Sequence, residues 1–248
     1  MVSVCLASYN GEPFIEDQVK SILAQLQFGD ELIVSDDCST DNTVKILSRI
    51  NDNRLKLHIN TGPHGFTPNF ENALKYATGD IIFLSDQDDI WLPGKYDACL
   101  QALQKYDLIV TNSKVTDEKL NVINESFFSI YSSGAGILKN IFICSTYYGS
   151  CMAFRKSLLK YALPFPKYKE LGHDLWLGLV AETVGQVKFI DTPYLLYRRL
   201  DSSVTVVGNL LTRSKKPLLQ KIQKRFIIYK YFLDFFFKYK LQKKQRWI

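Results

Sequence analysis

Residues Val2–Leu26, VSVCLASYNGEPFIEDQVKSILAQL, carry the reading from which the fold follows. Val2–Ala7 is a short apolar run with β-branched residues, which reads as a buried strand. From Glu12 to Leu26 the apolar positions fall at 14, 15, 19, 22, 23 and 26, the spacing of one helical face. A polar turn, ASYNG at 7–11, joins the two. The unit recurs: Glu31–Ser35 reads as a strand and Thr43–Ile50 as a helix with Asp41 at its N-cap, then Leu55–Ile59 as a strand and Asn69–Ala77 as a helix. Ile81–Leu84 is the fourth strand. Crossovers of this length imply parallel strands covered by helices, a Rossmann-like doubly wound α/β sheet that is mostly parallel.

Ligands of such sheets bind beyond the carboxyl ends of the strands. Three polar clusters fall there: ASYNG at 7–11, SDDCSTDNT at 35–43 and SDQDD at 85–89. Together they describe one polar crevice. Within it, Asp86 and Asp88 point the same way along an extended segment, and like charges so placed raise each other's pKa unless a cation lies between them. Mg²⁺ or Mn²⁺, held by one or two carboxylates with positions left for phosphate oxygens, is the natural counter-charge. Asp86, Asp88 and Asp89 also suit a solvated turn that caps the helix after Pro93. Their place opposite two other polar clusters favours the metal reading.

The chain has 248 residues, 46% hydrophobic and 23% charged, enough for one full core or a core with an appendage. Cysteines at 5, 38, 99, 144 and 151 make an odd set without C-x-x-C spacing, which argues against a disulfide framework or a zinc site and fits a reducing cytoplasm. The N-terminus lacks a basic segment followed by a long apolar one, so nothing marks it for secretion. Charge is unevenly placed: residues 213–248 hold twelve Lys or Arg against one Asp, a net of +11, which leaves −5 on residues 1–212 of a chain whose total is +6. Beyond residue 107 the alternation weakens. Asp107–Val115 reads as a strand, 122–143 is ambiguous, GSCMAFRKSLL at 149–159 reads as a strand entering a short helix, and HDLWLGLVAETVG at 173–185 as an amphipathic helix. Val187–Ile190 and Tyr194–Tyr197 read as two strands.

VSVCLASYNGEPFIEDQVKSI, ELIVSDDCSTDNT, ATGDIIFLSDQDDIWLPGK and HDLWLGL resemble the successive motifs of family 2 glycosyltransferases, inverting enzymes of the GT-A fold that use nucleotide sugars. SDQDDIW and HDLW further resemble the branch of rhamnosyltransferases of bacterial surface polysaccharides. The likeness runs from residue 2 to about 207 and leaves the basic tail unexplained. It implies a domain over 1–212, with 1–106 as the nucleotide-sugar half and 107–212 as the acceptor half, followed by a helical extension at 213–248.

The resemblance makes Asp86-Gln87-Asp88 the family's D-x-D, with Asp88 in direct metal contact and Asp86 nearer the ribose and diphosphate. Ala7, Tyr9 and Asp37 would line the base and ribose pocket, Tyr9 stacking and Asp37 accepting the ring N–H; Tyr9 also suits a packed strand-end aromatic, and Asp36 is an equal candidate to turn inward. Asn10 and Gly11 shape the turn. Asp89 would support the loop or face the acceptor. Asp174 is the candidate base, since inversion needs one positioned carboxylate to take the proton of the attacking hydroxyl; its alternative role is to cap its helix. His173 reads as a structural hydrogen-bonder. Trp176 would wall the acceptor sugar or pack in the core, and Gly149 would leave room beneath a sugar or allow close packing.

Two positions depart from the family pattern: Pro68 precedes Asn69 where a basic residue is usual, and Leu200 stands where a His is common, with Arg198 or Arg199 available to pair with a diphosphate. The tail has no uncharged run beyond four residues, far short of the roughly 20 of a membrane span. Basic, aromatic and amphipathic, it suits the surface of an anionic bilayer that carries a lipid-linked acceptor, or a helix docked on its own or a partner subunit. Nucleic acid fits the bulky aliphatic content less well. The expectation is a metal-dependent inverting hexosyltransferase, cytoplasmic and peripheral at the inner leaflet, moving a sugar, with rhamnose from dTDP-rhamnose as the guess, to a glycan or lipid-linked glycan. The alternative is a catalytically silent nucleotide-sugar-binding or scaffold subunit of a glycan-assembly complex.

Overall fold

The strands are β1 (Val2–Ser8), β2 (Glu31–Asp36), β3 (Leu55–Ile59), β4 (Ile81–Asp86), β5 (Ile90–Trp91), β6 (Leu108–Thr116), β7 (Val122–Asn124), β8 (Met152–Arg155) and β9 (Val187–Arg198). In the computed structural model, which describes residues 1–199 and 217–245, all of them join one sheet. The helices are α1 (Ile15–Leu23), α2 (Thr43–Leu47), α3 (Phe66–Tyr76), α4 (Lys95–Leu103), α5 (Phe127–Tyr131), α6 (Leu159–Ala162), α7 (His173–Val184) and α8 (Leu218–Gln245).

The sheet order is β3-β2-β1-β4-β8-β6-β9-β5, with β7 paired to β6. Its first four strands are parallel, as the repeated strand–helix unit predicts. Every residue of β2 is buried and all but one of β1, which is why both read as apolar runs without alternation. β8 enters antiparallel between β4 and β6, so both halves of the chain share one sheet. The two segments expected at 187–190 and 194–197 are one strand, β9, parallel to β6. Asp191 and Thr192 form a bulge before Pro193, whose missing N–H interrupts the ladder without ending the strand. The ambiguous stretch 122–143 resolves into β7, α5 and a π-helical turn at Lys139–Ile143. β5, absent from the sequence reading, pairs with β9 and so fastens the far side of the acidic loop that leaves β4. All five cysteines are free thiols.

Helix starts differ from the expectations for local reasons. α3 begins at Phe66, three residues early, because Gly65 adopts φ 116° and gives its N–H to Asp37. Asp41, expected at the N-cap of α2, lies one residue before it and still accepts from the Thr43 N–H at 2.9 Å. The tail helix α8 docks on its own domain, which is one of the two readings its sequence left open. Ile228 and Phe232 are buried, Phe235 meets Trp176 edge-on at 5.4 Å, Arg225 donates to the Ile141 carbonyl, and Lys224 pairs with Glu170. The opposite face leaves Leu219, Ile222, Phe226, Phe237 and Leu241 exposed.

At the far edge from the crevice, Glu31 staples β2 to β1, β3 and the loop before β4. Burial alone raises its pKa, but the Lys56 ammonium and hydrogen bonds from Ser3 and Thr78 outweigh this and hold it at about 2. The ionised carboxylate therefore stabilises the fold above its unfolded pKa of about 4.5, and that contribution disappears as pH falls toward about 2. Glu31→Gln should lower the unfolding free energy at pH 7 by about 2 kcal/mol, and urea melts of the two proteins should converge near pH 2.

Candidate active site

The crevice is assembled from the ends of β1, β2 and β4 by hydrogen bonds between loops. The Gln87 side chain grips the backbone of Tyr9 at both ends, its Oε1 accepting from the N–H at 2.7 Å and its Nε2 donating to the carbonyl at 3.0 Å. Asn10 takes φ 48°, a conformation that Asn tolerates, and its Oδ1 receives the Thr40 N–H. Gly11 lets the Gln87 amide lie against the turn, since a Cβ there would lie 2.4 Å from Gln87 Oε1 and push it aside. The turn of β1 is thus locked to the middle residue of the acidic motif. Tyr9 leaves it with a side chain 54% exposed, while Ala7 is partly buried.

Of the two candidate carboxylates after β2, Asp36 is fully buried and spent on Ser8 and Ser39. Asp37 accepts from Asn60 Nδ2 and Gly65 N and lies 3.0 Å from His64 Nδ1. It therefore holds the 60–65 loop at the crevice edge. Asn69 is a structural residue, bonded to Ser35 and to the Ser8 carbonyl.

After β4 the acidic loop is crowded. Burial, then the neighbouring Asp88, then Asp174 push Asp86 up to about 7. Burial raises Asp88 too, against the pull of Arg198. Asp89 is raised well above the ordinary range by burial and by both neighbours, and its Oδ1 accepts the Arg198 N–H. Arg198, expected to reach a diphosphate, is 5% exposed and turns inward: Nε donates to the Asp88 carbonyl at 2.8 Å, Nη1 to the Glu118 carbonyl, and the guanidinium lies 4.6 Å from the Phe14 ring centre. It braces the loop. Leu200 lies outside the described residues. Below the loop lies a residue the sequence reading passed over, Lys95, fully buried, with Nζ donating to the Ser150 carbonyl and 4.5 Å from the Trp91 ring centre. Burial lowers its pKa, and the carboxylates of Asp86 and Asp89 favour its charged form.

α7 brings the last acid to the crevice. Asp174, in its first turn, is pushed up to about 6 by burial, with the Leu175 N–H at 2.7 Å pulling the other way. The charge of Asp174 adds to the raised pKa of Asp86, after burial and Asp88, although the two lie far apart in sequence. Trp176 is not at the crevice: it is 6% exposed, its Nε1 donates to the Ala162 carbonyl, and its ring supports α8, so core packing is its role. Gly149 makes room for protein, not sugar, since a Cβ there would sit 3.0 Å from His173 Nε2. His173 was expected to be a structural hydrogen-bonder, yet neither ring nitrogen has a partner among the described residues. Such a buried unsatisfied group costs about 1–3 kcal/mol. Burial lowers its pKa to about 3, so the ring is neutral.

Among the described residues no group of three or more His, Cys, Asp and Glu is arranged to enclose a metal. Asp86 and Asp88 nonetheless form a fitting donor pair for a hard divalent cation, being carboxyl groups whose pKa burial raises, with the charge of Asp88 adding to the effect at Asp86.

Residues 3–162 match the family described as Glycosyl transferase family 2. Over 124 residues, 46% of this chain, the sequence is 36% identical to the UDP-Glc:alpha-D-GlcNAc-diphosphoundecaprenol beta-1,3-glucosyltransferase WfgD of Escherichia coli, and the match spans 49% of that protein. Over 106 residues it is 37% identical to the dTDP-rhamnosyl transferase RfbG of Shigella flexneri, covering 40% of this chain and 36% of that one. The match thus spans half or less of the length of each of these curated relatives. In structure the chain is similar to S. aureus TarS 1-349 in complex with UDP-GlcNAc, with TM-score 0.63 and 19% identity over 90% of this chain and 70% of that one. At that identity the likeness speaks for the fold alone, which is GT-A-like.

Lys95→Met keeps the side-chain volume while stranding the Ser150 carbonyl and removing a buried counter-charge. Its unfolding free energy should fall by about 3 kcal/mol, read as a lower urea midpoint at unchanged slope.

Proposed function

The chain belongs to glycosyl transferase family 2, and on that premise we propose that it transfers a sugar, with inversion, from a nucleoside-diphosphate donor to a glycan or lipid-linked glycan of a bacterial surface. What chiefly supports this reading is that the charge of Asp174, from α7, bears on Asp86, from the end of β4, as expected of a base and a diphosphate-binding acid that serve one site. Tyr9, Ala7 and Asp37 receive the base and ribose. Asp88 with Asp86 would hold a divalent cation, Mn²⁺ or Mg²⁺, which would supply positive charge to the departing diphosphate. Asp89 and Arg198 keep that loop in place. Asp174 accepts the proton of the acceptor hydroxyl as its oxygen attacks the anomeric carbon from the side opposite the leaving group, so one displacement inverts the centre. A carboxylate with a pKa near 6 is a stronger base than an ordinary one and remains ionised at neutral pH.

dTDP-rhamnose and UDP-glucose are the first donors to try, the former because SDQDDIW and the RfbG match favour it, the latter from the WfgD match. We further propose that the protein works peripherally at the cytoplasmic face of a membrane. Among the described residues no helix is long and apolar enough to cross one. Support comes from the outward face of α8, where Leu219, Ile222, Phe226 and Phe237 are exposed in a segment rich in lysine.

Nucleoside diphosphate release in the presence of Mn²⁺ should fall about 10³-fold in Asp174→Asn and lose its metal stimulation in Asp88→Asn. A silent scaffold would release none in any form. In the wild type, kcat/KM should decline tenfold per pH unit below about 6, because Asp174 must be unprotonated to act. In flotation on vesicles containing anionic phospholipid, the full chain should rise with the lipid, and Phe226→Asp/Phe237→Asp should stay in the dense fraction.

A further inference from the structure

The buried ring of His173, next in sequence to the proposed base, has no role in the transfer mechanism. It is 6% exposed and enclosed by Phe70 at 4.2 Å, Phe165 at 6.1 Å and Phe66 at 6.2 Å between ring centres. A neutral imidazole carries one donor and one acceptor, and among the described residues both lack partners. A group held this way, next to a reacting carboxylate, is kept for something that arrives. The backbone on either side is bare. Nε2 faces the backbone of Gly149, where a Cβ would lie 3.0 Å from it. On the other side, the Cβ position of Gly172 lies 2.5 Å from Asp174 Oδ1 and 4.0 Å from the edge of Phe66. Phe66 is 49% exposed, an aromatic ring open at the mouth of the base. Asp37 sets its position through the N–H of Gly65.

An exposed aromatic face, a neutral hydrogen-bonding ring and a carboxylate side by side match a pyranose, which offers a C–H face and a rim of hydroxyls but no charge. We infer that Phe66 and His173 form a recognition subsite for the acceptor sugar, Phe66 stacking on its C–H face and a nitrogen of His173 bonding a hydroxyl adjacent to the one that Asp174 deprotonates. The inference rests on the assignment of Asp174 as the base. A phosphate or carboxylate is a poor occupant, since a neutral ring beside Asp174 offers it no countercharge.

Ligand-observed NMR with the full chain and methyl glycosides of glucose, N-acetylglucosamine and rhamnose tests the subsite without turnover. At least one glycoside should bind the wild type, with its Kd raised about tenfold or more in His173→Phe and in Phe66→Ala. His173→Phe keeps the aromatic packing and removes two unpartnered nitrogens, so its Tm should equal or exceed that of the wild type. Absence of binding to the wild type, or equal binding by the variants, overturns the assignment. So does a fall of several degrees in the Tm of His173→Phe, which would show that the nitrogens have a structural partner. Nucleotide release by the wild type, measured in parallel, reports on the transfer reading separately.

Discussion

Four carboxylates gathered at the edge of one sheet are the constraint around which the molecule is organised. Burial raises the proton affinity of Asp86, Asp88, Asp89 and Asp174, and neighbouring carboxylates add to it at Asp86 and Asp89. A fold tolerates this only if fixed positive groups hold the loop from behind. Here Lys95 lies beneath it and Arg198 braces its backbone, one anchored on the Ser150 carbonyl and the other on that of Asp88. The compensation stops short of neutrality on the solvent side, which is the feature the proposed cation and diphosphate would use.

The same constraint explains the mixed second half of the sheet. β8 supplies the turn Gly149–Cys151 that receives Lys95, and β9 delivers Arg198 while pairing with β5 just beyond the acids. The parallel half offers three loops; the inserted strands hold the third one still. α7 carries Asp174 in its first turn, and α8 packs on Trp176 of the same helix through Phe235.

What the sequence made legible was periodic or clustered. The four parallel strands follow from the alternation of apolar runs and helical spacing, and the crevice follows from where the polar turns interrupt it. The unread parts depend on contacts between distant residues. Trp176 reads as a possible sugar wall because nothing local says that α8 covers it. Gln87 looks like filler between two aspartates until the Tyr9 turn is seen in its grasp. His173 sits where a hydrogen bond is ordinary, and only the packed environment reveals that it has none. Lys95 follows a Pro-Gly turn, a place where lysine is normally solvated, and the burial that changes its meaning comes from β8. The bulge at Asp191 and Thr192 misled for the opposite reason: a proline signals a break, and the strand simply resumes beyond it.

Gly11 and Gln87 bear on how this architecture can diverge. A methyl group at position 11 would overlap the Gln87 amide, while a shorter residue at 87 would release the turn that Gly11 permits. A substitution at either position is therefore felt at the other, since the Gln87 amide must move aside for any side chain at 11. Epistasis between these two residues is written into the geometry of the first loop.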